Sequence, residues 1–158
     1  MALTFSEATL ARYRDIVARY PTRQAALLPT LWLAQEEFGW LPEEALVYVA
    51  ELMELPAARV AGVASFYTMY HKKQIGKHHL QVCRTLSCAL RGAAEITECI
   101  EKKLGIGVGE TTPDGRFTLS EVECLASCGT APMLQLNDDY IENLTVEKTL
   151  ELIDRLAK

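Results

Sequence analysis

No apolar run in this chain is longer than the six residues from Ala45 to Ala50, far short of the roughly 20 that a membrane-spanning helix needs. The opening stretch, Met1-Ala-Leu-Thr-Phe-Ser-Glu7, has neither a basic region nor an apolar core, so it does not read as a secretory signal. The expected compartment is therefore the cytoplasm. No Walker motif, nucleophile elbow, or flavin or nicotinamide fingerprint is present. The one glycine-rich stretch, Gly105-Ile-Gly-Val-Gly109, follows a helical segment and lacks the G-x-G-x-x-G spacing. Nor does it join a strand to a helix, so it reads as a turn. No Cys-x-x-Cys occurs, which speaks against a thiol–disulfide catalyst. Internal repeats and low-complexity segments are absent too. On these grounds the chain by itself is expected to have no substrate.

What is present is an ordinary globular composition. Hydrophobic residues make up 49% and charged residues 23% of 158 positions, enough for one domain or two small ones. The charge is unevenly placed. Residues 1–78 carry eight Lys/Arg against eight Asp/Glu, whereas residues 79–158 carry eight against thirteen and hold the whole net charge of −5. An acidic second half excludes nucleic acid or an anionic membrane as a direct partner.

The cysteines lie in that half. Cys83 and Cys88 have four residues between them, Cys124 and Cys128 have three, and Cys99 stands alone. In a reducing compartment, close thiol pairs are metal ligands or redox groups more often than disulfides. Five is also an odd number, which suits four ligands and a spare.

The first 70 residues follow helical grammar. Ser6 stands as an N-cap, with Phe5 and Leu10 at the positions of a hydrophobic staple. Leu10, Tyr13, Ile16, Val17 and Tyr20 then recur at helical spacing. Leu28, Leu31, Trp32, Gln35 and Phe38 line a second helix that Gly39 ends, with Pro29 marking its start or a kink. Pro42 and Pro56 sit as first-turn prolines of helices over 43–53 and 57–70. Residues 71–79 read as a linker, its His78 and His79 part of a solvated basic turn. From residue 80 the period becomes alternating. Leu80 and Val82 mark a strand that ends at Cys83, and residues 93–104 a helix closed by Gly105. Phe117, Leu119 and Val122 mark a second strand leading to Cys124. Met133, Leu134 and Leu136 mark a third, Asn137-Asp-Asp139 a turn with a short return at Tyr140-Ile141, and Thr145 the cap of a last helix. The expected fold class is α+β in two parts: a small helical bundle over 1–70, and after the linker a thioredoxin-like α/β domain over 80–158. The bundle is either a packed domain and no more, or an interaction module for a partner.

Two thiol hairpins after strands make a four-sulfur cage. A 2Fe–2S cluster needs two thiolates per iron, which Cys83, Cys88, Cys124 and Cys128 supply. Small neighbours (Thr85, Ser87, Ala89, Ala126, Ser127, Gly129, Thr130) let backbone N–H groups approach sulfur, and Gly129 suits a tight turn. Structural zinc is the competitor, although its hairpins usually place ligands two apart and neither pair here does. Rieske chemistry needs two histidines, and none flanks a cysteine pair. Cys99, three residues from Ile96 on a helix, reads as a buried small hydrophobe. Two ferric ions, two sulfides and four thiolates sum to −2, and reduction makes −3. An added electron in an acidic domain costs Coulomb energy, so the expected potential is low.

Further motifs point to a family. They are Gly62-Val-Ala-Ser-Phe-Tyr67, Leu80-Gln-Val-Cys83 with Cys88, Lys103-Leu-Gly-Ile106 and Gly109-Glu-Thr-Thr-Pro-Asp-Gly115. Phe117-Thr-Leu119, Val122-Glu-Cys-Leu125, Cys128, Ala131-Pro132 and Asn137-Asp-Asp139 follow. Together they resemble the small thioredoxin-like 2Fe–2S subunits of respiratory complex I, the NuoE type, from about residue 20 onward. The resemblance implies one 2Fe–2S cluster on Cys83, Cys88, Cys124 and Cys128. It implies as partner an NADH-binding flavoprotein subunit of NuoF type, which holds FMN and a 4Fe–4S cluster, with NADH and FMN bound only there. The implied function is electron transfer from that flavin within NADH:quinone oxidoreductase. Other peripheral-arm subunits are then neighbours, and the location is the cytoplasmic peripheral arm of a membrane-bound complex. The alternatives are the equivalent diaphorase subunit of a soluble NAD-linked hydrogenase or formate dehydrogenase, or a free thioredoxin-like ferredoxin. An exposed apolar patch on the bundle favours an assembly component over a free carrier.

Overall fold

The computed structural model describes residues 3–158. The chain divides into two units, one ending at Gln74 and the other beginning at Ile75.

The first unit holds α1 (Glu7–Val17), a 3₁₀ turn at Gln24–Ala26, α2 (Leu27–Phe38), α3 (Glu43–Met53) and α4 (Ala57–Phe66). Ser6 caps α1 as its sequence position implies, its hydroxyl accepting from the Thr9 N–H at 3.3 Å. Phe5 is buried and packs against Phe38 and Tyr48 at ring distances of 5.7 and 5.1 Å. Gly39 ends α2 at φ 81°, a left-handed conformation that glycine reaches without strain. Pro29 falls in the first turn of α2, where no N–H is needed, so it marks the start rather than a kink. Pro42 and Pro56 stand one position ahead of α3 and α4, as extended N-cap residues, rather than inside the first turn. The helix expected over 57–70 stops at Phe66. Gln35 explains why: its side chain donates to Met69 O at 2.9 Å and accepts from the His71 N–H at 2.6 Å, pinning the turn at residues 68–70 that follows α4. Burial of Leu31, Leu41, Val49, Met53 and Val60 makes the core, each large side chain contributing about 1.5–3 kcal/mol.

The second unit runs β1 (His78–Cys83), α5 (Leu86–Leu90), α6 (Ala93–Leu104), β2 (Phe117–Val122), a 3₁₀ turn at Cys128–Thr130, β3 (Leu134–Leu136), β4 (Asp139–Ile141) and α7 (Val146–Leu156). The sheet order is β2-β1-β3-β4. β1 and β2 are parallel, joined by the crossover through α5 and α6, and the other pairings are antiparallel. In register, Leu80 lies opposite Leu119 on one side and Leu136 on the other. Leu80, Leu119 and Leu134 are fully buried with Ile100 of α6 and Ile153 of α7. Gly105 closes α6 in the left-handed region, and Thr145 caps α7 through the Lys148 N–H. The stretch from Gly105 to Gly109 is a turn.

The expected linker over 71–79 is too long by two residues. Strand pairing already includes His78 and His79, opposite Phe117 and Thr118. His79 is buried, with a ring nitrogen 2.8 Å from Ser120 Oγ, so it is no part of a solvated turn. Gly76 fixes this approach. Its N–H donates to Thr118 Oγ1 at 2.6 Å, and a Cβ there would stand 2.8 Å from the Phe117 backbone.

Candidate functional site

Parallel pairing carries the C-terminal ends of β1 and β2 to one edge of the sheet. Cys83, the last residue of β1, lies opposite Val122, and Cys124 follows two residues beyond. β3 enters from the same edge. Met133 O accepts from the Cys83 N–H at 3.2 Å, and Cys128 opens the 3₁₀ turn just before β3. Cys88 returns to this edge because residues 86–90 wind into the single turn of α5, with Ala89 N–H donating to Thr85 O at 2.9 Å. Neither member of the first pair is therefore a loop residue. Five residues carry too little periodicity to show α5 in the sequence, and Thr85 ahead of it was the one available signal.

The fold brings all four thiols together. Cys83 lies beside Cys88 and Cys124 beside Cys128, and the two pairs are near enough to feel each other's charge, Cys83 acting on Cys124 and Cys128 on Cys88, so the four make an open ring. Cys83 and Cys88 are 3% and 2% exposed, whereas Cys124 and Cys128 are exposed. None of the five cysteines is in a disulfide. Cys99 stands apart on α6, half-buried rather than buried, its thiol donating to Ile96 O at 3.1 Å while burial pushes it up.

Hydrogen-bond donors surround the ring. Burial raises the Cys83 thiol, yet the Thr85 hydroxyl at 3.4 Å and the N–H groups of Leu125 and Thr85 hold it below its ordinary value. The Ala126 N–H, 3.3 Å from Cys124 Sγ, lowers that thiol first, followed by the Thr85 hydroxyl. Burial keeps Cys88 high, with the neighbouring Cys83 adding to it and the Met133 N–H opposing. Thr85 occupies the N-cap position of α5 without capping it, and serves one sulfur of each pair instead. Ala126, not Gly129, takes the left-handed turn beside the thiols, at φ 62°. Gly129 has an ordinary φ and open space around it, so its glycine freedom is not what shapes the loop.

Four soft thiols and at least four backbone N–H groups aimed at them are a donor set suited to iron and sulfide. Among the described residues, no three His, Cys, Asp or Glu side chains gather as ligands of one ion do. The spacings within the two pairs, four and three residues, suit two irons with two thiolates each better than structural zinc, whose hairpins usually place ligands two apart.

A family model described as thioredoxin-like [2Fe-2S] ferredoxin matches residues 13–157, and the chain belongs to that family. It is 49% identical over 157 residues, 98% of this chain and 94% of the relative, to the E-type subunit of NADH-quinone oxidoreductase from Rickettsia felis. With NADH dehydrogenase [ubiquinone] flavoprotein 2, mitochondrial, of Dictyostelium discoideum it shares 45% over 155 residues, 96% of this chain and 63% of the relative. Among solved structures, NAD+-reducing [NiFe]-hydrogenase in the air-oxidised state matches with TM-score 0.74 at 21% identity, over 83% of this chain and 22% of that one. That likeness speaks for the fold. The resemblance drawn from the motifs and the thioredoxin-like α+β fold class are both borne out.

Proposed function

We propose that this chain is the electron-transfer subunit of an NADH:quinone oxidoreductase, with Cys83, Cys88, Cys124 and Cys128 as ligands of one 2Fe–2S cluster. The observation that carries the reading is 49% identity over 98% of the chain to the corresponding small component of that enzyme in Rickettsia felis. A match this long includes the helical unit, which a free carrier of the same fold has no use for. The helical unit also presents Phe66, 77% exposed and edge-on to Tyr67 at 5.0 Å, with Met69 close by in sequence and 41% exposed. Apolar exposure of this kind is a mark of a chain built into an assembly.

When bound, a 2Fe–2S cluster supplies one-electron exchange. The chain's residues divide the task of holding it. Cys83 and Cys88 anchor it from the core, and Cys124 and Cys128 close it from the exposed side. The N–H groups of Thr85, Leu125, Ala126 and Met133 favour negative charge on sulfur, while the acidic surroundings oppose more of it. The proposed electron donor is an NADH-binding flavoprotein subunit of NuoF type, with other peripheral-arm subunits beside it on the cytoplasmic side. No described helix is long and apolar enough to cross a membrane, so attachment to a membrane-bound assembly runs through these partners.

Tagging the chain in its native host and identifying what co-purifies tests the reading. A flavoprotein together with quinone-reducing and membrane-arm subunits is expected. The same flavoprotein with a nickel or molybdenum subunit would assign the chain to a soluble NAD-linked hydrogenase or formate dehydrogenase instead. A chain recovered alone would make it a free ferredoxin.

A further inference from the structure

The loop that carries Cys124 and Cys128 is tied along its length to the segment that leaves β4. Tyr140 OH donates to Leu125 O at 2.8 Å. Asn143 N–H donates to Thr130 O at 2.8 Å, and Leu144 N–H to Pro132 O at 3.0 Å. Asn143 adopts φ 50°, a left-handed turn that few residues other than glycine tolerate. Between these main-chain ties stands Glu142. One carboxylate oxygen accepts from the Ser127 hydroxyl and from the Thr130 hydroxyl, the latter at 2.6 Å. Those two hydroxyls lie 2.8 Å from each other and bracket Cys128 and Gly129 in the chain. The side chains of Ser127 and Thr130 hold the Glu142 carboxyl below its ordinary range, so it is ionised at neutral pH.

We propose that Glu142 is a positioning residue for the iron–sulfur site: by clamping Ser127 and Thr130 it fixes where Cys128 presents its sulfur, and so sets how firmly the exposed ligand pair holds. The proposal rests on the ligand assignment above. It concerns a side chain that is distant in sequence from both cysteine pairs.

The test compares anaerobically purified wild-type chain with Glu142→Ala and Glu142→Gln. Iron release to a ferrous chelator, the EPR signal of the reduced protein and far-UV circular dichroism are measured on each. Glu142→Ala is expected to release iron at least about fivefold faster, since two charge-assisted hydrogen bonds are lost, and to shift the EPR line shape with the secondary structure unchanged. Glu142→Gln keeps an oxygen that accepts both hydroxyls and is expected to stay within about twofold of wild type. A Glu142→Ala protein with wild-type release and spectrum overturns the clamp. So does a Glu142→Gln protein indistinguishable from Glu142→Ala, because the charge and not the geometry would then be the cause. If Glu142→Ala fails to fold, the double variant Ser127→Ala/Thr130→Val removes the donors instead and is read in the same way. Failure of the ligand assignment looks different: wild type without a 2Fe–2S spectrum, or Cys128→Ser with an unchanged one, overturns both proposals together.

Discussion

The two cysteine pairs reach one edge of the sheet by different means. Cys83 and Cys88 belong to the hydrophobic core, packed with Leu80, Val82 and Ile96 and placed by a strand and a helical turn. Cys124 and Cys128 are exposed, on a loop that is shaped by the left-handed Ala126, accepts hydrogen bonds from Tyr140, Asn143 and Leu144 and donates to Glu142. Packing in the core places the inner pair. The outer pair depends on hydrogen bonds and, under the proposed ligand assignment, on the ligand bonds themselves, since a site that gathers charged thiolates gains its order on binding metal. Under that assignment one half of the site is a product of folding and the other half is completed by the cluster.

That difference is open to direct attack, and the largest effects are expected at the four proposed ligands. Serine at Cys83, Cys88, Cys124 or Cys128 should each abolish or distort the cluster absorption. In cluster-free protein the four should then separate. The inner replacements bury a hydroxyl and are expected to lower stability to urea by about 1–3 kcal/mol, the outer ones by under about 0.5 kcal/mol. Equal losses at all four would mean that the inner pair is not placed by packing.

Removing iron altogether should loosen the two halves unequally. Amide exchange is expected to rise first over residues 125–130, while Leu80 and Val82 stay protected with the sheet. The reverse order would break the comparison.

A subtler probe is Thr85, whose hydroxyl serves one sulfur from each pair. Thr85→Val removes a donor to thiolate, so the reduced, more negative form loses support and the potential should fall by on the order of 20–40 mV. A rise on redox titration would show that the hydroxyl does not act on the sulfurs. The smallest effect is expected at Cys99, where serine should leave the spectrum unchanged. A lost cluster there would mean the ligand set is wrong.

Much of this was legible in the sequence, where local signals are strong. Ser6, Gly39, Gly105 and Thr145 bound their helices as capping rules require. Alternation at Leu80 and Val82 and at Phe117 and Leu119 located the two parallel strands. Spacing alone singled out the two thiol pairs, which the fold carries to one edge of the sheet. What escaped was set by contacts distant in sequence. His79 looked solvated because its partner Ser120 lies 41 positions away, and α4 ends early because Gln35 holds the segment beyond it. The single turn of α5 is too short to have a period. The burial of one cysteine pair and exposure of the other follow from strand register, which no spacing between cysteines encodes. Glu142 has no motif to announce it, because Ser127 meets it only through the β3–β4 return.

The most direct measurement is a count of iron and acid-labile sulfide per chain on anaerobically purified protein, with EPR after reduction. Two irons, two sulfides and one unpaired spin per chain are expected. The signal should be lost or altered by serine at each of the four ligand positions and untouched by serine at Cys99. One zinc per chain without sulfide or signal, or a signal that survives all four replacements, would contradict it.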